Sequence, residues 1–243
     1  MKEVISFELS GDYGLFKKPW CNREQQSFLI PPKTSIVGLL SAIIGLDKKE
    51  YLEKISFSDV KYGVEVLETI TREMHGINFM HGRGLSKITK KLSNPYRNPS
   101  SKGSISPTRL EYLKNPKYLI YLRLENDLFE RLKQFLMEEK CVFPPSLGQT
   151  NLFAKICDYK VHNLNIKAIS ETSCAVPSEF VDVEKLKGKF FTERIPISMD
   201  MGRSNPKYLS LTLKNSKSGL IPIKKNKKIV SGELDNGKKI VLF

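Results

Sequence analysis

The chain is poor in the residues on which most hydrolytic and metal chemistry depends. It holds three histidines (His75, His81 and His162) and four cysteines (Cys21, Cys141, Cys157 and Cys174). No two cysteines have zinc-knuckle spacing, and four are few for a disulfide scaffold. No HExxH, no GxxxxGK[ST] and no acid-rich metal run occurs, which leaves metal- and nucleotide-dependent enzymes without support. Neither a metal nor a cofactor is expected. No stretch of about 18 apolar residues is free of charge, so no membrane-spanning helix and no membrane partner are expected. The opening MKEVISFELSGD alternates apolar and polar residues. It reads as a strand rather than a signal peptide, and a cytoplasmic location is expected. Acid is also short, with 26 Asp and Glu against 40 Lys and Arg, a formal charge of +14.

That positive charge is clustered. Arg83 to Lys117 contains nine basic residues and one acid, Glu111, while Arg203 to Lys228 contains eight basic residues and no acid. The stretch from Asp47 to Glu73 is acid-rich by contrast. Such segregation suits a surface that follows a phosphate backbone. Solvated lysine-rich loops are the plainer alternative.

Alternation from Val4 to Leu9 marks a first strand with one buried face. Gly11, Gly14, Pro19 and Asn22 break it into a loop that carries Phe16, Lys17, Lys18 and Trp20. A helix follows in PPKTSIVGLLSAIIGL, with Thr34 or Ser35 as its N-cap and an apolar surface nearly all round, which implies burial on several sides. Gly38 inside it implies a close backbone neighbour. Lys48–Lys54 reads as a short polar helix. Val60–Leu67 reads as a strand, with Thr69–Phe79 as its hairpin partner. GRGLSKITKKLSNPYRNPSSKGSISP is too long for a casual connection, so it is functional or disordered. Tyr118–Leu124 is a strand. Asn126–Lys140 is a helix with Asp127 and Glu130 at capping-box spacing and Leu128, Leu132, Phe135 and Leu136 on one face. Beyond Val161 only short strands are expected, at Asn165–Ile169, Lys189–Ile195, Tyr208–Leu213 and Lys239–Phe243.

This order predicts an α+β class with a ferredoxin-like (RRM-like) βαββαβ domain over residues 1–160, elongated by a basic insertion. A β-rich C-terminal part covers residues 161–243. A metal-independent ribonuclease would need only a histidine or tyrosine as base on the ribose 2′-OH and a lysine for the phosphorane. His75 and His81 flank the basic loop, though a histidine there is more often a polar contact.

The first strand ending at Gly11, then Phe16-Lys17-Lys18-Pro19, then Pro31 to Leu46 and Lys49-Glu50-Tyr51, together resemble the N-terminal signature of the CRISPR-associated protein five family. That family belongs to the RAMP superfamily, and the likeness is nearest to its subtype I-B branch. The resemblance implies a non-catalytic, RNA-binding subunit of a Cascade surveillance complex in antiviral defence. Such a subunit caps the 5′ handle of the CRISPR RNA and contacts the backbone and large subunits, with target DNA a further candidate contact. It also implies a hairpin thumb at about residues 75–107. The RNA-binding set is then Lys17, Lys18, Trp20, Lys33, Thr34 and Ser35, with Arg83, Lys87, Lys90, Lys91 and Arg97 in the thumb. Phe16 and Tyr96 join Trp20 as candidate base-stacking residues.

Subtype I-C relatives cleave precursor RNA with a tyrosine–lysine–histidine set. Tyr51, Lys90 or Lys91, and His81 supply those residue types here, without a motif to join them. A metal-independent endoribonuclease is therefore the alternative. The separate RAMP nuclease of subtype I-B systems has a glycine-rich loop near its C-terminus. This tail has only isolated Gly202, Gly219, Gly232 and Gly237, which argues against that identity.

Overall fold

The computed structural model describes residues 2–21, 24–80, 105–125, 127–215, 219–224 and 229–243. Its centre is a sheet of β1 (Lys2–Ser10), β4 (Val60–Val66), β7 (Lys117–Leu124), β8 (Lys155–Ile166), β14 (Val230–Leu234) and β15 (Lys239–Leu242). The strands run in the order β15-β14-β8-β1-β7-β4, and every neighbouring pair is antiparallel. Because side chains alternate along a strand, Ile5, Phe7 and Leu9 share one face of β1, opposite Leu122, Ile120 and Tyr118 of β7. That face is covered by helices α1 (Lys33–Ile44) and α3 (Leu128–Met137), and the sheet and both helices join one core. The short α2 (Tyr51–Lys54) lies between α1 and β4.

Helix α1 has no side-chain cap and no acid in its first turn. It stands by burial instead: Ile36, Val37, Leu40, Ile43 and Ile44 are each at most 1% exposed. Each such side chain contributes about 1.5–3 kcal/mol. Gly45 ends the helix with φ 79°, its N–H bonded to the Ser41 carbonyl. Helix α3 is amphipathic, burying Phe129, Leu132 and Leu136.

The strand after β4 departs from expectation. β5 (Thr71–Met80) pairs with β6 (Ile105–Lys114) along its whole length, from Thr71 opposite Lys114 to Met80 opposite Ile105. It is not the partner of β4, whose neighbour is β7. The β5–β6 ladder is an arm whose root is held by β2 (Tyr13–Gly14), antiparallel to β6, and β3 (Glu24–Gln25), parallel to it. Most of the expected thumb, residues 81–104, lies outside the described residues.

In the C-terminal part, β10 (Val176–Pro177), β11 (Phe191–Ser198) and β12 (Lys207–Leu213) form a second sheet in the order β10-β12-β11. Ile195, Leu211 and Leu213 bring it into the main core, where β11 packs on α1. β9 (Glu171–Thr172) pairs with β13 (Ile221–Pro222) beside a smaller core that includes Val176, Phe180 and Ile221. The architecture is thus α+β and strand-rich, with three α-helices among the described residues.

Several local expectations are corrected. Asp127 and Glu130 form no capping box, because no side-chain cap bond is made at α3. A Cβ built at Gly38 meets nothing within 4 Å, so no backbone crowds it. Of the expected short strand Asn165–Ile169 only Asn165 and Ile166 are strand, as the end of the longer β8, and β14 was not anticipated. The expected boundary between residues 160 and 161 falls inside β8, so both parts share one sheet.

Candidate nucleic-acid interface

Two buried tyrosines of the sheet fix the approach to α1. The Tyr118 hydroxyl donates to the Leu29 carbonyl at 2.6 Å, and the Tyr62 hydroxyl to the Pro31 carbonyl at 2.8 Å. The cap position is Pro32, whose carbonyl accepts from the Ser35 and Ile36 N–H groups at 2.9 and 3.0 Å. Thr34 and Ser35 are therefore half-buried residues of the first turn and not the N-cap. Pro32, extended at φ −61° and ψ 151°, starts the helix earlier than the hydroxyl residues suggested.

Lys33 is the larger correction. It was expected at an open helix mouth, yet it is 6% exposed and its Nζ donates to the Phe243 carbonyl at 3.2 Å. Burial lowers its pKa to about 8, with Lys61 adding to the shift. Phe243 is fixed in turn by reciprocal backbone bonds with Tyr62, at 2.9 and 3.1 Å. These bonds join the two edge strands of the central sheet, β4 and β15, and cover the mouth.

The preceding loop is tight. The Lys18 N–H bonds to the Gln26 carbonyl at 2.9 Å, the Phe28 N–H to the Phe16 carbonyl at 2.8 Å, and the Phe16 N–H to Ser27 Oγ at 3.0 Å. Phe16 is 4% exposed, so this candidate stacking residue is a core residue. Lys18 is drawn inward to Glu193 of β11, with Nζ 3.2 Å from Oε1. The other oxygen of Glu193 accepts the Leu29 N–H at 2.7 Å, and Arg72 lies 3.6 Å from Oε1. Glu111 accepts the Ser27 N–H at 3.2 Å and also faces Arg72, at 3.6 Å. The charge of Lys18 is thus matched inside the chain.

Lys17 is exposed and has no ion-pair partner among the described residues. Trp20 is 54% exposed. Its neighbours are Phe28, edge-on at 5.7 Å, and Tyr208 of β12 at 5.9 Å. Glu193 and Tyr208 were missed in the sequence because they lie far along the chain. The only signal for them was the alternation of β11 and β12.

At the root of the arm, Glu73 gathers three other groups. Lys114 Nζ lies 3.1 Å and His75 Nε2 3.3 Å from its carboxylate, and the Tyr13 hydroxyl donates to it at 3.5 Å. Lys114, with His75 adding, holds the Glu73 carboxyl below its ordinary range. Tyr13, His75 and Tyr112 meet edge to face at 5.1–5.9 Å. Tyr51 is 7% exposed beneath the Arg203 guanidinium, 5.1 Å from its ring. Arg83, Lys87, Lys90, Lys91 and Arg97, with His81 and Tyr96, lie outside the described residues.

On the face of the sheet away from the helices, His162 Nε2 is 2.9 Å from Ser6 Oγ, and its Nδ1 is 2.9 Å from Asp235 Oδ1. These residue types match a hydrolytic triad. Ser6, however, is 4% exposed on an inner strand, so the network ties β1 and β8 to the β14–β15 turn. Ligand atoms of Glu8, Cys157 and Asp158 lie within 4.8 Å of one another. The Lys117 ammonium sits 3.0 Å from Glu8 and competes with any cation there. Among the described residues no helix is long and apolar enough to cross a membrane.

A family model described as CRISPR-associated protein (Cas_Cas5) matches residues 4–188. The crystal structure of a CRISPR protein from Archaeoglobus fulgidus has a similar fold, with a TM-score of 0.58 at 14% identity over 98% of each chain. A chain of a CRISPR RNA-guided surveillance complex aligns with a TM-score of 0.53 at 11% identity over 90% of each chain. At these identities the likeness establishes a common fold. No curated protein matches the sequence.

Proposed function

The chain belongs to the CRISPR-associated Cas5 family, and on that premise we propose that it is a non-catalytic CRISPR RNA-binding subunit of a type I, I-B-like Cascade. It caps the 5′ handle of the RNA in the cytoplasm and contacts the backbone and large subunits, with target DNA as a further contact. The family match over residues 4–188 carries this reading. The order β8-β1-β7-β4, with α1 and α3 as the two connections, fits a ferredoxin-like unit. The β5–β6 arm fits the base of a thumb, with Arg83, Lys87, Lys90, Lys91 and Arg97 proposed to follow the RNA backbone. Of the N-terminal set, exposed Lys17 and Trp20 are the proposed contacts. Lys33 and Lys18 act as supports, with Thr34 and Ser35 beside them in the first turn of α1.

Binding of the full chain to repeat-derived RNA in EDTA, measured over a range of salt, tests the proposal. At least tenfold preference for the handle over a scrambled RNA, a steep salt dependence and intact RNA are expected. Equal binding of both RNAs would reduce the protein to a general basic RNA binder.

A second reading, a metal-independent endoribonuclease, is favoured by the grouping of Tyr13, His75 and Lys114 around Glu73. His75 would take the proton of the ribose 2′-OH, whose oxygen attacks the adjacent phosphorus. Lys114 would stabilise the phosphorane, and the 5′-oxygen would leave with a proton taken from water, giving a 2′,3′-cyclic phosphate, while His75 returns its proton to solvent. Specific cleavage in EDTA that is lost in His75→Ala would replace the first reading with this one. Loss in His81→Ala alone would move the chemistry into the thumb.

A further inference from the structure

We propose that Trp20, Tyr208 and Arg194 form a stacking platform for one unpaired base of a single-stranded nucleic acid. The choice of polymer rests on the RNA-binding reading above; the site itself rests on its geometry.

Trp20 is exposed because the framework holds it there. Phe28, 1% exposed within the main core, meets the indole edge-on with 81° between the rings. The turn beneath it is closed by the Cys21 N–H on the Lys18 carbonyl at 3.3 Å. A large aromatic side chain left 54% exposed on such a rigid mount keeps an unfilled π surface.

The second part of the platform comes from the β11–β12 sheet. Pro196 lies opposite Tyr208 and Arg194 opposite Ser210, so Arg194 and Tyr208 stand diagonally on one face. Ile195 and Leu211, on the other face, go into the core. The Arg194 guanidinium carbon lies 5.0 Å from the Tyr208 ring centre. Trp20 and Tyr208 are tilted by 56°, which makes an open wedge rather than a closed stack.

The charge around the wedge favours a polyanion. Arg194 is exposed and has no carboxylate partner among the described residues. Lys17, close in sequence to Trp20, is likewise exposed and unpaired among them. A base on the indole, with Arg194 beside it to meet the phosphate, satisfies both the π surface and the charge. Protein contacts also use Trp, Tyr and Arg, and an acidic partner would match these cations too, so the choice of a nucleic acid follows the RNA-binding reading.

Trp20 is the only tryptophan of the chain, so its fluorescence reports on the site directly. The probes are an oligouridine of about ten nucleotides, the usual span of a single-strand site, and an abasic ribose-phosphate strand of equal length. Oligouridine is expected to quench Trp20, while the abasic strand binds without quenching. Tyr208→Leu, which keeps apolar bulk, should weaken oligouridine binding about tenfold and leave the abasic strand unchanged. Tyr208→Phe should restore it. Arg194→Ala should weaken both strands and lower the salt slope by about 0.7 unit.

Equal quenching by the two strands, or no effect of Tyr208→Leu, overturns the platform. Retention of RNA on a filter without any change at Trp20 also overturns it, and leaves the RNA-binding reading in place. No retention at all overturns that reading, and the platform with it. A Trp20 response to other Cascade subunits in the absence of RNA would make the surface a protein contact, again overturning the proposal.

Discussion

Lys17 and Lys33 belong to one basic N-terminal signature, and the fold treats them in opposite ways. Lys33 is buried, bonded to a carbonyl and shifted towards neutrality by its surroundings. Lys17 stands on an open rim near an exposed indole. A lysine at a helix start reads in sequence as half of an anion site. Whether it is one depends on what the rest of the chain lays over it. Here β15 and Phe243 close the helix mouth, whereas the β11–β12 sheet borders the Trp20 loop without covering it.

The strongest way to break this contrast is to reopen the mouth. A Cβ at Gly63 would lie 2.5 Å from the Val241 carbonyl oxygen, so only glycine lets β4 and β15 approach this closely. Gly63→Val should cost about 3 kcal/mol or more through overpacking. For a chain of this size that lowers the thermal midpoint by about 6–12 °C. The folded-state emission of Trp20 should not change, since the damage lies at the other site. An unchanged midpoint would mean that β15 does not close the mouth.

The next effect is a pH dependence. Lys33 titrates near 8 in the fold against an ordinary 10.5, because burial disfavours its charged form. Between those values the unfolded chain holds the extra proton, so stability rises with pH across that window. Below pH 8 the penalty is fully present. Lys33→Met has no such group. The stability of the natural chain relative to this variant should therefore climb by about 1–3 kcal/mol from pH 8 to 10.5, by denaturant midpoint. A flat difference would mean that Lys33 reaches water.

Much of the frame was legible. The periodicity of Ile36 to Ile44, the alternation of Val60 to Val66 and the amphipathic Leu128–Met137 segment each gave a recognisable element. β8 was less visible because most of its residues are exposed, so KICDYKVHNLNI shows only weak alternation. The partner of β5 was missed because local alternation marks a strand without naming its neighbour. The site was less legible than the fold. Lys17 and Trp20 are placed by the nearby loop, whereas Lys18 depends on Glu193 and Lys33 on Phe243, both far along the chain. No local pattern reports such pairs.

The smallest and sharpest effect separates two adjacent residues. Lys17→Ala removes an exposed charge with no partner among the described residues, so stability should stay within about 0.5 kcal/mol. If Lys17 meets a phosphate of the single-stranded RNA, the salt slope of binding should fall by about 0.7 unit. Lys18→Ala should behave in the reverse way. It takes a cation from Glu193, which is 9% exposed, while Arg72 and the Leu29 N–H remain. Those remaining partners limit the cost to about 1–2 kcal/mol, and the salt slope should hold. Equal changes in slope for the two variants would mean that the Lys18–Glu193 pair opens to admit RNA. The line between closed support and open rim would then run behind Lys18 rather than between the two lysines.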